Sequence, residues 1–206
     1  MAENHVSLRV VSSRTSRAGS GAPGGREANA RRGELSQADR DELARGLANA
    51  VEGEVRFGLH DRMLYATDAS LYQAEPLGVV VPSSVEDARR AVEFCAGRGL
   101  PVLPRGGGTS LAGQCTNRAV VIDLSPNCRR VLRADFERGE VEVEPGITID
   151  DLNEWIVMEE ARRMPAQSRG QGARSPGWFF APDPATSRQA CVGGCIGNNA
   201  AGARSI

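Results

Sequence analysis

The 206-residue sequence predicts an α+β fold. Three observations point there. The apolar run Val79-Val80-Val81 stops at Pro82 and leads into a capped helical pattern, then into a second short run from Pro101 to Pro104, which is the order of a β-α-β unit. Val131 to Asp135 and Val141 to Val143 alternate around Glu137-Arg138-Gly139-Glu140 and read as a hairpin. A hydrophobic share of 40% is enough to build a core, in one large domain or two small lobes.

Residues 1–33 set Arg9, Arg14, Arg17, Arg26, Arg31 and Arg32 against Glu3 and Glu27, among many Ser, Gly and Ala. Such a composition buries no core, so a disordered tail is expected there. The stretch also resembles an organelle leader, but it lacks a clear amphipathic helix and has no secretory apolar segment. Ser36 with Asp39 three positions on is a capping-box signal. Leu43, Leu47 and Val51 place one apolar stripe on the helix that follows, and Gly53 ends it. Val55-Arg56-Phe57 suits a short strand, and Tyr65 to Tyr72 mixes aromatic and small polar residues without a period, as an ordered loop does.

Ser84 with Asp87 caps the next helix, with Val85, Ala88, Ala91, Val92 and Cys95 expected inward and Gly97 and Gly99 closing it. Ala119 to Leu124 is a strongly apolar strand. Thr148 and Asp151 cap a helix containing Leu152 and Ile156. From Met158 to Gly177 the pattern dissolves into Arg, Gly, Gln and Ser, and an exposed loop is expected.

Composition narrows the function. A net charge of -1 provides no field for nucleic acid, and no apolar run approaches the roughly 20 residues that span a bilayer. Cys95, Cys115, Cys128, Cys191 and Cys195 are odd in number and form no C-x-x-C pair, which fits a reducing compartment such as the cytoplasm. With His5 and His60 as the only histidines, the ligand count argues against a metal site.

The residues that carry chemistry begin at Pro101-Val102-Leu103-Pro104 and continue as Arg105-Gly106-Gly107-Gly108-Thr109-Ser110-Leu111-Ala112-Gly113-Gln114. Consecutive glycines turn successive N–H groups toward one point, and Thr109 and Ser110 add hydroxyl donors, which together suit an anion such as phosphate. On this reading a side chain at Gly107 blocks the approach of a diphosphate more than it disturbs folding. Gly108 to Gly113 has the spacing of a P-loop, but Gln114 and Cys115 stand where Lys and Ser/Thr are needed. The dinucleotide pattern fails too, because Leu111 replaces its third glycine. In an open α/β sheet this loop, at the carboxyl end of a parallel strand, lies where ligands gather.

A second cluster, Cys191-Val192-Gly193-Gly194-Cys195-Ile196-Gly197-Asn198-Asn199-Ala200-Ala201-Gly202, follows Ala181-Pro182-Asp183-Pro184-Ala185-Thr186 and pairs backbone access with amide side chains. One ligand with two separated polar parts accounts for both clusters.

Taken together, Arg105 to Gly113, Tyr65 to Tyr72, Pro182-Asp183-Pro184 and Gly193 to Gly202 resemble the FAD-linked oxidases with an FAD-binding domain of the para-cresol methylhydroxylase and vanillyl-alcohol oxidase (PCMH) type. Within them the chain is most similar to the D-lactate, glycolate and D-2-hydroxyglutarate dehydrogenase-like branch, including large bacterial members with an iron–sulfur domain. The resemblance runs from about Val51 to Ile206.

It implies an α+β domain of two lobes, a β-α-β lobe followed by a mixed-sheet lobe, with FAD extended between them. The implied organisation is a tail at 1–33, a helical and loop lead-in at 34–71, and an FAD-binding domain at 72–206 that is incomplete at its C-terminal end. The implied cofactor-binding residues are Pro104, Arg105, Gly106, Gly107, Gly108, Thr109, Ser110, Gly113 and Gln114 in the first segment. Pro182, Asp183, Thr186, Gly193, Gly194, Gly197, Asn198, Asn199 and Gly202 complete the set. FAD is expected to be held non-covalently, since Thr109 stands where flavinylated relatives carry a histidine. The implied reaction takes a hydride from a D-2-hydroxy acid and passes electrons to a downstream acceptor. Any catalytic base, metal ligand or iron–sulfur cluster is expected beyond Ile206, and the alternative is a catalytically inactive dinucleotide-binding module. The connection from Asn153 to Pro182 is longer and richer in Arg than this family's pattern.

Overall fold

The computed structural model describes residues 7–10, 35–163 and 177–202. Within residues 1–33 it departs from the expected tail at one place: Ser7–Val10 forms strand β1. The remainder of that tail lies outside the described residues. Ser7-Leu8-Arg9-Val10 alternates polar and apolar residues, and an open sheet edge lets so short a segment add by parallel pairing. Local composition cannot signal a partner so far along the chain.

The first lobe begins with helix α1 (Gln37–Ala50). Ser36 accepts from the Asp39 N–H while Asp39 accepts from the Ser36 N–H, so the expected capping box is present. Strand β2 (Glu54–Arg56) pairs antiparallel with β3 (Gly78–Val81), and helix α3 (Val85–Ala96) follows, capped by Ser84. Strands β4 (Val102–Arg105) and β5 (Val120–Asp123) complete a four-stranded sheet of order β2-β3-β5-β4. The expected β-α-β unit exists, but β5 lies between β3 and β4, parallel to both. Within the segment at 34–71, α1 and β2 contribute to the core of this sheet.

Leu47, Val80, Ala88, Ala91, Cys95, Val120 and Ile122 pack on the helical face. Val79, Val81 and Val121 point the other way, toward Tyr65 and Leu103. Two faces covered explain why β3 and β5 read as unbroken apolar runs. Val85 and Val92, expected inward on α3, are exposed, and the buried side chain in the first turn is Asp87. Its carboxylate accepts from the N–H groups of Glu52, Gly53 and Ser83 at 2.8–2.9 Å and from Arg90 at 3.0 Å. It thereby ties the α1–β2 turn to α3, and enclosure of its oxygens by donors makes burial of the charge tolerable. Helix α2 (Leu59–Leu64), unforeseen from the pattern, starts at Gly58 without a side-chain cap and exposes Leu59 and Leu64.

The second lobe is the sheet β1-β7-β6, made from the expected hairpin β6 (Val131–Asp135) and β7 (Glu140–Val143) with β1 on its edge. Helix α4 (Ile149–Arg163) packs Ile149, Leu152 and Ile156 against Val141 and Val143. It runs five residues past Met158, through part of the expected exposed loop, because Glu159 pairs with Arg162 and Arg163 on its outer face. Residues 164–176 of that loop lie outside the described residues. A last short helix, α5 (Val192–Gly197), buries Val192 and Cys195 in the same core. Among the described residues no helix is long and apolar enough to cross a membrane.

Candidate cofactor cleft between the lobes

Strand β4 ends at Arg105 and delivers the first glycine motif to the gap between the lobes. Gly108 has φ +64, a conformation that side chains disfavour, and this turns the loop back on itself. The loop is held by its neighbours. The Ala69 N–H donates to the Gly108 carbonyl at 3.1 Å, and the Cys115 N–H donates to Asp68 Oδ2 at 3.2 Å. Arg105 Nη1 donates to the carbonyls of Thr67 (2.9 Å) and Cys115 (3.3 Å) and reaches that of Tyr65 at 3.5 Å. Three stretches, 65–70, 105–111 and 113–115, thus form one wall.

The opposite wall is the turn at 184–190 and α5. The turn is closed by the Gln189 and Ala190 N–H groups, both donating to the Thr186 carbonyl at 2.8 Å. The start of α5 is fixed by Val192 N–H to Ile147 O and Gly193 N–H to Pro145 O, each 2.9 Å. The walls touch where Gly106 abuts Cys191, whose Cβ would lie 3.0 Å from a Cβ placed on the glycine, and at two further places. A Cβ on Gly107 would lie 1.9 Å from the Gln189 carbonyl oxygen, so the two backbones touch directly. Farther along, Asn198 Nδ2 donates to Ser110 Oγ at 3.3 Å, and Ser110 Oγ lies 3.2 Å from Cys115 Sγ.

Between them is a cleft of about 810 Å³. That volume is in the range of about 300–1,000 Å³ usual for sites that enclose small molecules and cofactors. Its only charged lining residues among those described are Asp68 and Arg105. The backbone N–H groups of Gly108, Thr109 and Ser110 donate to no other described residue. Those N–H groups, with the hydroxyls of Thr109, Ser110 and Thr186, are donors suited to phosphate oxygens. On the far wall a Cβ on Gly194 would meet nothing within 4 Å, which leaves room for a ligand against the helix backbone. The residues present therefore fit an elongated ligand with a diphosphate.

Of the residues expected in the site, Arg105, Gly106, Gly107, Gly108, Thr109, Ser110, Gln114, Thr186, Gly194 and Asn198 line the cleft. Pro104, Gly113, Pro182, Asp183, Gly193, Gly197, Asn199 and Gly202 do not. Several of these shape it from outside. A Cβ on Gly193 would press on Pro145, one on Gly202 would fall 1.9 Å from the Asp183 carbonyl oxygen, and Asn199 ends α5 at φ 48. Gly107 lines the cleft, and its missing side chain also makes room for the Gln189 carbonyl of the same chain. Lining residues that sequence reasoning left without a role include Thr67, Asp68 and Ala69, Cys115, and Gln189 to Cys191. The first three lie in the Tyr65 to Tyr72 stretch, whose aromatic and small polar mixture was the available signal.

Electrostatics favour a quiet site. Burial pushes the Cys191 thiol up to about 11 and also raises Cys195, so both stay protonated near neutrality. Burial would also raise Asp68, but hydrogen bonds from Ser70 and Cys115 and the Arg105 charge outweigh it and hold its carboxyl below the usual value. No group of three or more His, Cys, Asp or Glu among the described residues is placed to hold a metal ion.

Residues 76–168 match the model of the FAD binding domain family. D-2-hydroxyglutarate dehydrogenase of Escherichia coli (strain K12) is 32% identical over 157 residues, covering 75% of this chain and 14% of the relative. The chain thus spans about one seventh of that relative's length. Among solved structures, alkyldihydroxyacetonephosphate synthase matches with TM-score 0.63 at 18% identity, over 79% of this chain and 30% of the other. Substrate-bound p-cresol methylhydroxylase matches with TM-score 0.51 at 16% identity, over 62% of this chain and 26% of the other. These structural likenesses establish the fold, which is the PCMH-type architecture expected from the motifs.

Proposed function

We propose, from the premise that this chain carries an FAD-binding domain of the FAD-linked oxidase type, that it holds FAD in the cleft between its lobes as part of a flavin-dependent dehydrogenase of D-2-hydroxy acids. The observation that carries the reading is the convergence of both glycine motifs on one cleft of cofactor size, joined by Asn198 and Ser110. The free N–H groups of Gly108 to Ser110 would take the diphosphate, and Gly194 would let the dinucleotide lie against α5.

When bound, the flavin supplies the hydride acceptor for the carbon that bears the substrate hydroxyl. The chain's own contribution is to bind and orient, and to keep the Cys191 and Cys195 thiols protonated. The substrate class follows the relative's name, D-2-hydroxyglutarate dehydrogenase, and the acceptor is a downstream electron carrier. Attachment is non-covalent, because the buried thiols of Cys191 and Cys195 are poor nucleophiles at neutral pH.

The test is anaerobic mixing of the FAD-loaded protein with D-2-hydroxyglutarate, D-lactate and glycolate while the flavin absorption is followed. Bleaching of the whole protein's flavin by at least one of these acids, and not by L-2-hydroxyglutarate or L-lactate, is expected, while residues 1–206 alone should bind FAD without bleaching. A whole protein whose bound flavin none of them bleaches would contradict the hydroxy-acid assignment.

A further inference from the structure

Arg105 opens the first glycine motif and is the only cation lining the cleft among the described residues, so an anion-binding role is the obvious assignment. Its contacts argue otherwise. Nη1 is committed to the carbonyls of Thr67 and Cys115, with that of Tyr65 at the edge of reach, and the guanidinium carbon lies 5.2 Å from the centre of the Tyr65 ring. Nη2 occupies the space beside Gly108: a Cβ there would lie 2.4 Å from it. The guanidinium is therefore boxed in by an aromatic ring, the Gly108 backbone and carbonyls from two other stretches. Nη1 alone meets the carbonyls, and the planar guanidinium sets Nη2 against the Gly108 backbone at the same time, a pair of contacts that an ammonium on a flexible stem does not reproduce.

The same stretches are joined by Ala69 N–H to Gly108 O and Cys115 N–H to Asp68. Asp68 adds a negative charge to this wall, offsetting Arg105 in the field the cleft presents. Apart from Arg105, the donors that line the cleft are neutral: the N–H groups of Gly108 to Ser110 and the hydroxyls of Thr109, Ser110 and Thr186.

We propose that Arg105 is a positioning residue that pins the 65–70 and 113–115 stretches to the glycine loop, rather than a ligand to the diphosphate. The proposal rests on the FAD reading above. It separates charge from affinity. Removing the fork while keeping the charge should be almost as damaging as removing both.

The experiment compares the wild-type protein with Arg105→Lys and Arg105→Met. FAD dissociation constants are measured over a series of KCl concentrations, and amide hydrogen exchange is measured without FAD. Expected are an FAD affinity nearly independent of KCl in all three proteins and a loss of about tenfold or more in both variants. Exchange at Ala69 and Cys115 should quicken in both variants, while the amides of β5 keep their wild-type protection. Affinity that falls with KCl in the wild type, with Arg105→Lys close to wild type and Arg105→Met insensitive to salt, would overturn the proposal in favour of a direct anion ligand. Should Arg105→Met not fold, the Lys variant alone decides, since it keeps the charge. A wild-type protein that binds no FAD would instead sink the cofactor reading. Unchanged exchange at Ala69 and Cys115 in the variants would overturn the positioning role even then.

Discussion

Asn198 Nδ2 donates to Ser110 Oγ at 3.3 Å, joining two motifs that are 88 positions apart in the chain. The bond bridges the walls of the cleft, and each partner belongs to a stretch proposed to touch the dinucleotide. A single hydrogen bond of this kind contributes about 0.5–1.5 kcal/mol net, so Ser110→Ala and Asn198→Ala are each expected to weaken FAD binding a few-fold to about tenfold. Because they share one bond, the double variant should lose less than the product of the single losses. Strict additivity in a titration of all four proteins would show that the bond does not couple the walls.

Gly107 and Gly194 are expected to separate folding from binding. Gly107→Ala drives a Cβ to within 1.9 Å of the Gln189 carbonyl oxygen, a backbone atom that cannot swing aside. A destabilisation of about 1–3 kcal/mol or more follows, visible as a lower urea midpoint before FAD is added. Gly194→Ala meets nothing within 4 Å and sits in α5, so stability should hold or rise by up to about 1 kcal/mol. Its FAD affinity should nonetheless fall by about tenfold as the new methyl enters the cleft. Unaltered affinity in a stable Gly194→Ala protein would remove α5 from the site.

Asp87 makes stability depend on acid pH. Burial alone would raise its carboxyl, but N–H donors from Ser83, Glu52 and Gly53, with Arg90, hold it down at about 2. A carboxyl depressed from its ordinary 3.8 contributes stability that is present above pH 3.8 and lost as pH falls toward about 2. Asp87→Asn removes that charge and two good acceptor positions, for an expected loss on the order of 2–3 kcal/mol at pH 7. The gap between the urea midpoints of wild type and variant should narrow between pH 4 and pH 2. A gap that is constant over that window would contradict the assignment.

Much of this architecture was legible in local pattern, because the signals were local. Ser36 with Asp39 and Ser84 with Asp87 announced two helices, and the apolar run from Ala119 to Leu124 announced the strand that is β5. What escaped depended on distant partners. The pairing of β1 with β7 and the insertion of β5 between β3 and β4 are choices of tertiary contact with no local signature. Helix α5 contains Gly193, Gly194 and Gly197, against helix propensity, and forms because Val192 and Cys195 are buried in the second core. In the site, spacing identified the two motifs, but it could not reveal that Gly107 serves Gln189 or that Arg105 serves the carbonyls around it.

Acid precipitation of the FAD-loaded protein should release all of its flavin into the supernatant. Cys191 and Cys195 face the cleft as protonated thiols held up by burial, and neither is disposed to form a bond to the flavin. Colour that remains with the washed pellet would overturn this and direct attention to Cys115, the half-buried thiol beside Ser110.

The central claim is that one FAD lies against both glycine motifs at once. Amide hydrogen exchange with and without saturating FAD tests it directly. The account predicts slower exchange on FAD binding in two separate stretches, 106–111 and 194–201, with the β6–β7 hairpin unchanged. Protection confined to one of the two stretches, or found in neither, would contradict it.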